Sequence, residues 1–560
     1  MSSALPELFW FVSREYGGIA EAGGVKSVVR ALCEELAKRG CRVTALVPLY
    51  AFADRSAVEN YRAPAETYPV QVGDKTYPVS FASGAFHGVE IVFVAHELFR
   101  SRRAVYTYTA EDEQENPAHR RGTGFHDVQL INVLFQKAAL AYGLASGAVP
   151  RLVHCHDAPT ALLPALAREN PQFRAHFAPT AFAVTIHNAG PAYHHEFYAL
   201  GEAAYLTGIS GETLGKSLNG NRVEPYLLAS FYAHLTTVSP WYAEELSRVQ
   251  QPDNSDGLSA CFSRLGTHIT GITNGIDAEL YDTTKPEVSL LPYSFDPAEN
   301  DFGGKYRCRD YLLRLLSSAD KPDAYFAGVD RFGTLGGTGV LVAYHGRIVH
   351  QKGIDVLLRA IELLLSRGAP LSFAVHGQGE SGFENWLVAL AERFPGKCAY
   401  CRGYNKRLAR LCTAAADFLA LPSAFEPCGL EDFIGQLFGT IPVAHATGGL
   451  QKILDAETGF LYHGNTSEAL SGLLASLADG FRADRAAYTR IAGRAARYVR
   501  EEYSWRRIVS EHYAPFYRRV LGCAASLNTA FPLRKTTAFP EETLHRGLWG
   551  TPEFSEKTPH

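Results

Sequence analysis

By Gly40 the chain has already passed through a strand, a glycine-rich turn and an amphipathic helix, and that succession restricts it to few architectures. Residues 8–13 form an apolar run that predicts a strand, and Gly17, Gly18, Gly23 and Gly24 follow. Val25, Val28, Val29, Leu32 and Leu36 then recur at the helical period on one face. Gly40 ends the helix, and residues 42–49 predict the next strand. This is a βαβ unit with its glycine loop at the helix N-terminus. The pattern returns at 151–154, 158–168 and 182–187. Strands alternating with helices imply a parallel sheet covered on both faces.

A second series follows. Residues 340–345 predict a strand and 354–366 a helix with Leu357, Leu358, Ile361 and Leu365 facing inward, and further strands are expected at 371–376, 418–421 and 441–444. Between the series the pattern loosens over 277–338, a Pro-, Gly- and Asp-containing stretch, and the junction falls near its start. At 560 residues the chain is too long for one ordinary core. The expected fold class is α/β, with two doubly wound, Rossmann-like domains facing a cleft and ligands beyond the carboxyl ends of the strands. The expected divisions are 1–275, 276–502, an aromatic- and arginine-rich helix at 503–521 that returns to the first domain, and a tail at 522–560.

Hydrophobic content of 46% and charged content of 20% describe a globular chain, not a disordered or fibrous one. A net charge of −4 supplies no field for nucleic acid, so basic residues are read singly, as possible phosphate ligands. No apolar run predicts a bilayer span, and the patch at 8–12 lacks a basic leader and a small-residue cleavage site. Ten scattered cysteines without a small-domain disulfide framework suit a reducing compartment, the cytoplasm by default.

Three loops carry candidate chemistry. Arg347 and Lys352 lie between a predicted strand and helix in Gly346-Arg-Ile-Val-His-Gln-Lys-Gly353. Two cations beside a helix start suit a diphosphate, although a solvated loop with surface cations fits equally well. Glu426 is followed by Pro427, Cys428, Gly429 and Leu430 directly after a strand, where glycine allows close backbone approach; a helix-capping glutamate is the plainer reading. Thr447, Gly448 and Gly449 make another strand-to-helix turn. His187 ends a strand in Thr185-Ile-His-Asn188, and His154-Cys-His-Asp157 ends another. Alternation points His154 and His156 to one face and Cys155 to the other, which argues against a metal cluster. Cys398 and Cys401 have no second pair and read as core residues of a strand.

In order along the chain these elements resemble the glycogen and starch synthases of glycosyltransferase family 5. The matching segments are 154–157, 185–188, Thr236-Thr-Val-Ser-Pro240 with Tyr242-Ala-Glu-Glu245, and Asn274-Gly-Ile-Asp277. They continue through Arg347 with Gln351-Lys-Gly353, 422–430, 439–442, 447–450, 458–460 and 503–505, so the resemblance spans about residues 8–520. It implies a two-domain GT-B fold, ADP-glucose as donor, the non-reducing end of an α-1,4-glucan as acceptor, and neither cofactor nor metal. By matching position, Arg347 and Lys352 would hold the leaving diphosphate, and Glu426 with backbone N–H groups of Cys428, Gly429 and Leu430 would hold the glucose. Thr447, Gly448 and Gly449 would meet phosphate or ribose, and His187 would face the sugar. Asp157 and Asn188 would line the acceptor side, Asn274 the cleft, and Gly23 and Gly24 the substrate loop.

One segment departs from the family. Where its signature has lysine, threonine, two glycines and leucine, this chain has Glu21-Ala-Gly-Gly-Val25, with Lys26 and Ser27 next. The loop is re-registered, or donor binding is altered, or turnover is weak. Two other readings share the fold: a transferase using UDP-glucose or another glycan acceptor, and a glucan-binding relative without turnover.

Overall fold

A computed structural model describes residues 8–249, 252–317, 324–336 and 339–527, so the tail expected beyond the last helix lies outside the described residues. In the first half seven strands run parallel, in the spatial order Ile269–Gly271, His234–Thr237, Ala181–Ile186, Leu152–His156, Leu8–Val12, Arg42–Pro48 and Val89–Ala95. Their continuous apolar runs are explained by helices on both faces: residues 9–12 and the whole of Leu152–His156 are buried. Helix Val25–Lys38 buries Val28, Val29, Leu32, Cys33 and Leu36, the face its periodicity marked.

The sheet is not purely parallel. Lys75–Phe86 runs antiparallel to Val89–Ala95 and carries Thr67–Val72 and Glu59–Arg62 on its other side. Buried and exposed residues mix along these strands because one face meets solvent, which antiparallel sheets tolerate.

In the second half the order is Val329–Gly333, Cys398–Gly403, Leu371–Gly377, Val340–His345, Phe418–Leu421, Ile441–His445 and Phe460–Tyr462, parallel except for the first. Cys398 and Cys401 are buried in this sheet with free thiols. The stretch read as loosened contains helix Gly303–Ser317. Gly303 and Gly304 disguise its start, yet a Cβ on Gly304 would stand 2.0 Å from the Ser294 carbonyl oxygen. Buried Lys305 then anchors the helix on the carbonyls of Ala414 and Ala416.

Helix Val128–Ser146 corrects the expectation about apolar runs: its 19 residues would pass for a membrane span by length and composition. Most of it is buried, and its Lys137 ammonium bonds the carbonyls of Gln71 and Leu206, as befits a core helix. Two crossings link the halves. The Ile276 N–H donates to the Tyr503 carbonyl at 2.8 Å, and beyond it Trp505, Ile508, Tyr513 and Tyr517 join the first core. The Tyr517 ring packs tilted against that of Phe9, with ring centres 5.2 Å apart.

Candidate active site

Each sheet has one point where strand order reverses: between Leu8–Val12 and Leu152–His156 in the first, and between Val340–His345 and Phe418–Leu421 in the second. Adjacent connections leave such a point in opposite directions, and a crevice opens at the carboxyl ends. Glu15 and Asp157 follow the strands at the first point; Arg347, Lys352 and Glu426 follow those at the second. A cavity of about 360 Å³ lined by Leu8, Arg42, Thr44 and Glu90 opens instead at the amino ends of the first sheet, remote from these residues.

At the second point the Lys352 ammonium pairs directly with Glu426 Oε2, and the Ser423 hydroxyl donates to the same oxygen at 3.2 Å. Burial opposes ionisation of Glu426, but Lys352 and the nearby Lys452 outweigh it and hold the carboxyl below its ordinary value. The Arg347 guanidinium reaches Gln351 Oε1 at 2.9 Å, while its carbonyl accepts from the Tyr344 hydroxyl at 2.7 Å. Gly353, at φ +65°, turns the chain so tightly that a Cβ there would meet the Pro422 carbonyl oxygen at 1.8 Å. The lysine loop and the glutamate loop are therefore in backbone contact.

At the first point Asp157 organises the neighbouring strand end. Its Oδ1 accepts from His187 N–H at 2.7 Å, Asn188 N–H at 3.4 Å and the Tyr226 hydroxyl at 3.0 Å. Burial still pushes this carboxyl up to about 7 against those donors. His187 Nε2 lies 2.9 Å from His156 Nδ1, and burial brings the His187 ring down to about 4, so it is neutral at neutral pH. Both ring nitrogens of His154 are occupied, by Thr185 Oγ1 at 2.6 Å and the Tyr517 hydroxyl at 2.9 Å, and Cys155 belongs to the core.

The two clusters meet. The Tyr242 hydroxyl accepts from Ala189 N–H at 2.8 Å, and its ring lies 5.3 Å from that of Phe425, beside Glu426. The Ser239 hydroxyl donates to the Pro427 carbonyl at 2.7 Å. Asn274 is buried beside this junction, where its backbone N–H meets the Cys428 sulfur and burial pushes the thiol up to about 11.

The N–H groups of three expected site glycines have protein acceptors. Gly23 N–H meets Glu15 Oε2 at 2.6 Å, Gly448 N–H meets Glu245 Oε1 at 2.9 Å, and Gly449 N–H meets the Glu426 carbonyl at 2.8 Å. Gly448 and Gly449 thus tie loops and halves together, because glycine alone admits such close backbone contact: a Cβ on Gly449 would stand 2.2 Å from the Cys428 carbonyl oxygen. Thr447 N–H likewise bonds the His445 carbonyl. Gly24 starts the first helix without a side-chain cap. Sequence reading passed over Glu15, although a carboxylate between a strand end and a glycine pair was the available signal. It also passed over Tyr226, which carries no such signal, and it named Glu245 only as part of a matching segment, without a role.

Glu21 takes Gly18 N–H on Oε1 and the Lys26 ammonium on Oε2, both at 2.8 Å. Against partial burial, Lys26, Gly18 and the more distant Lys406 hold this carboxyl below its ordinary value. The negative charge that departs from the family signature is therefore largely answered within its own loop.

Among the described residues one set of possible metal ligands, His194, Glu196 and Glu224, has donor atoms within 4.8 Å of one another. His194 Nδ1 meets Glu224 Oε2 at 2.7 Å and Nε2 meets the Ala189 carbonyl at 2.9 Å. Both ring nitrogens are thereby engaged and neither is open to a metal, although burial raises the Glu224 carboxyl above its ordinary value as well. Burial opposes a charge on the ring, but Glu224, Ala189 and Glu196 outweigh it and raise the ring's pKa. A raised histidine pKa contributes stability that is complete below the unfolded value of about 6.5 and lost as pH rises through the folded value. His194→Gln should therefore narrow its Tm deficit relative to the parent as pH rises from about 6.5. A deficit independent of pH in thermal melts would contradict the charged ring.

Two doubly wound domains meeting at their switch points, with cations from the second and a histidine–aspartate pair from the first, define a glycosyltransferase of the GT-B class. Sequence comparison gives the family. Residues 9–262 match the starch synthase catalytic domain family, and residues 339–479 match glycosyl transferases group 1. The chain is 32% identical to a glycogen synthase of Burkholderia thailandensis over 83% of its own length and 82% of the relative's. It is 28% identical to that of Thermodesulfovibrio yellowstonii, over 91% and 97%. The chain belongs to the glycogen synthase family and is a glucosyltransferase of the glycogen/starch synthase type. The catalytic domain of starch synthase IV from Arabidopsis thaliana shares the fold, with a TM-score of 0.74 at 22% identity, covering 93% of this chain and all of that one. Sucrose-phosphate synthase of Thermosynechococcus elongatus shares it at TM-score 0.51 and 16% identity, covering 92% of this chain and all of that one.

Proposed function

We propose that the chain transfers glucose from ADP-glucose to the non-reducing end of an α-1,4-glucan with retention, without metal or cofactor. The observation that carries this reading is the meeting of Lys352 and Glu426 across the second switch point, with Arg347 on the same loop as the lysine. As the bond from glucose C1 to the diphosphate breaks, negative charge grows on the leaving oxygens, and two cations placed there in advance stabilise it. Glu426 then accepts hydrogen bonds from the glucose hydroxyls. The neutral His187 ring stands at the sugar from the acceptor side, with Asp157 and Asn188 shaping its loop and Asn274 lining the cleft. The acceptor oxygen attacks from the face that the phosphate leaves, and its proton passes to a phosphate oxygen.

ADP as the leaving nucleotide is supported by the Arabidopsis starch synthase IV domain, which was solved bound to ADP and acarbose. The ten cysteines, none paired, fit work in the cytoplasm. Incubation with radiolabelled ADP-glucose or UDP-glucose plus glycogen tests the reading. Label should enter polymer from ADP-glucose; preferential incorporation from UDP-glucose would overturn the donor, and none from either would overturn the activity.

Lys26 bears on donor affinity. Glu21→Gln removes the partner that holds its ammonium back, and an exposed pair of this kind is worth about two- to fivefold in affinity. The donor KM should fall by that factor in initial-rate measurements; an unchanged value would place Lys26 off the path of the diphosphate.

A further inference from the structure

Lys452 closes the turn Gly448–Lys452 and is buried, and beyond its field on Glu426 none of the roles above uses it. Its ammonium reaches the Cys428 carbonyl at 2.6 Å, Asp432 Oδ1 at 2.9 Å, and the carbonyls of Gly429 and Gly449 at 3.1 Å each. It also lies 4.4 Å from the centre of the Phe433 ring. Burying an ammonium is costly unless it is paired, and Asp432, itself fully buried, answers that need. The carbonyls are what a bare ion pair would not require. They come from two separate loops, both beside Glu426.

Their arrangement has a directional consequence. A trans peptide points its C=O and N–H in opposite directions. Gathering the Cys428 and Gly429 carbonyls on one cation turns the N–H groups of Gly429 and Leu430 away from it. Neither N–H meets a protein acceptor among the described residues. Gly429 is at φ +77°, and a Cβ there would stand 3.1 Å from the Lys452 ammonium and 3.0 Å from Asp432 Oδ1, so the backbone closes directly over the cation. Gly449 N–H on the Glu426 carbonyl bolts the second loop to the first. Lys452 thus sits between the two loops that frame the carboxylate.

We propose that Lys452 is a positioning residue for donor binding: its ammonium gathers the carbonyls of Cys428, Gly429 and Gly449 so that the amides of Gly429 and Leu430 present N–H groups to the sugar–diphosphate. The inference rests on the donor reading above. It separates two jobs that one lysine performs, balancing Asp432 and orienting the loops, and substitutions can divide them. Lys452→Met removes both and leaves Asp432 as an uncompensated buried charge. Lys452→Met with Asp432→Asn restores neutrality while leaving the carbonyls without a cation.

The experiment compares the parent, Lys452→Met and the double variant by thermal melt, by initial rates with ADP-glucose and glycogen, and by calorimetric titration of ADP alone. Turnover by the parent with ADP-glucose is the control that keeps failure of the donor reading separate. The single variant should melt earlier, and the double variant should recover most of that loss. In the double variant the donor KM should nonetheless stay raised by roughly tenfold or more, the value of charge-assisted contacts. ADP binding should weaken in step, and the glycogen KM should stay put. Recovery of donor KM and ADP affinity along with Tm would reduce Lys452 to a structural ion pair and overturn the proposal. So would a Lys452→Met enzyme with the parent's donor KM.

Discussion

Lys352→Ala should lower kcat with ADP-glucose by roughly two to three orders of magnitude, the usual effect of deleting one group that stabilises transition-state charge. The lysine comes from a short turn ending at Gly353 and reaches Glu426 on the neighbouring loop, so its removal withdraws positive charge from the diphosphate position. The fold should survive, because Lys352 lies outside every hydrophobic cluster and Glu426 keeps the Ser423 hydroxyl and the field of Lys452. Lys352→Arg should retain part of the rate, since it keeps the charge while changing the geometry. Steady-state rates with labelled donor, alongside a melt, check both. An alanine variant within threefold or so of the parent would make Lys352 merely a partner of Glu426.

Asp157→Ala should be the most destabilising change on the acceptor side. Three donors converge on its Oδ1, and the residue sits at φ +62°, ψ 173°, a region that residues with a Cβ rarely occupy. Each buried donor left without an acceptor costs about 1–3 kcal/mol; the Tyr226 hydroxyl can still turn to the Asn188 carbonyl, so the two stranded N–H groups together should cost about 2–6 kcal/mol. Asp157→Asn keeps one acceptor oxygen and should lose much less, and Asp157→Gly, which relieves the backbone but supplies no acceptor, should fall between them. Denaturant midpoints rank the three. If glycine proved as stable as the parent, the backbone conformation and not the hydrogen bonding would be the dominant cost. Ionisation adds a pH signature. With its carboxyl pushed up to about 7, folded Asp157 keeps a proton that the unfolded chain releases near 4, so the parent loses stability between those values. The uncharged Asp157→Asn variant should gain on the parent as pH rises through that window.

Much of the frame was legible. Residues 8–13 and 151–154 predict strands because a sheet covered on both faces needs uninterrupted apolar runs, and the Val25–Leu36 periodicity marks a helix because only one of its faces is buried. The flank at 59–86 escaped because Pro69 and Pro78 interrupt strands whose faces are only partly covered. Helix Gly303–Ser317 escaped because paired glycines begin it and buried Lys305 looks like a surface residue until its carbonyl partners are seen.

For the site, the sequence by itself determined which loops stand at strand ends and which residue types they carry: Arg347, Lys352, Glu426, Asp157 and His187. Local order is sufficient for that, since a loop after a parallel strand emerges at the carboxyl edge whatever its neighbours do. Tertiary structure alone decided where each polar group points. Gly23 is expected in the substrate loop and Gly448 and Gly449 near phosphate or ribose; their N–H groups bond Glu15, Glu245 and the Glu426 carbonyl, partners no local pattern announces. Glu21, which departs from the family signature, is answered by Lys26, and Lys452 finds its carbonyls only when two loops close around it. Hydrogen bonding is short-ranged and directional, so such partnerships depend on distances between segments remote in sequence, which no periodicity or spacing encodes.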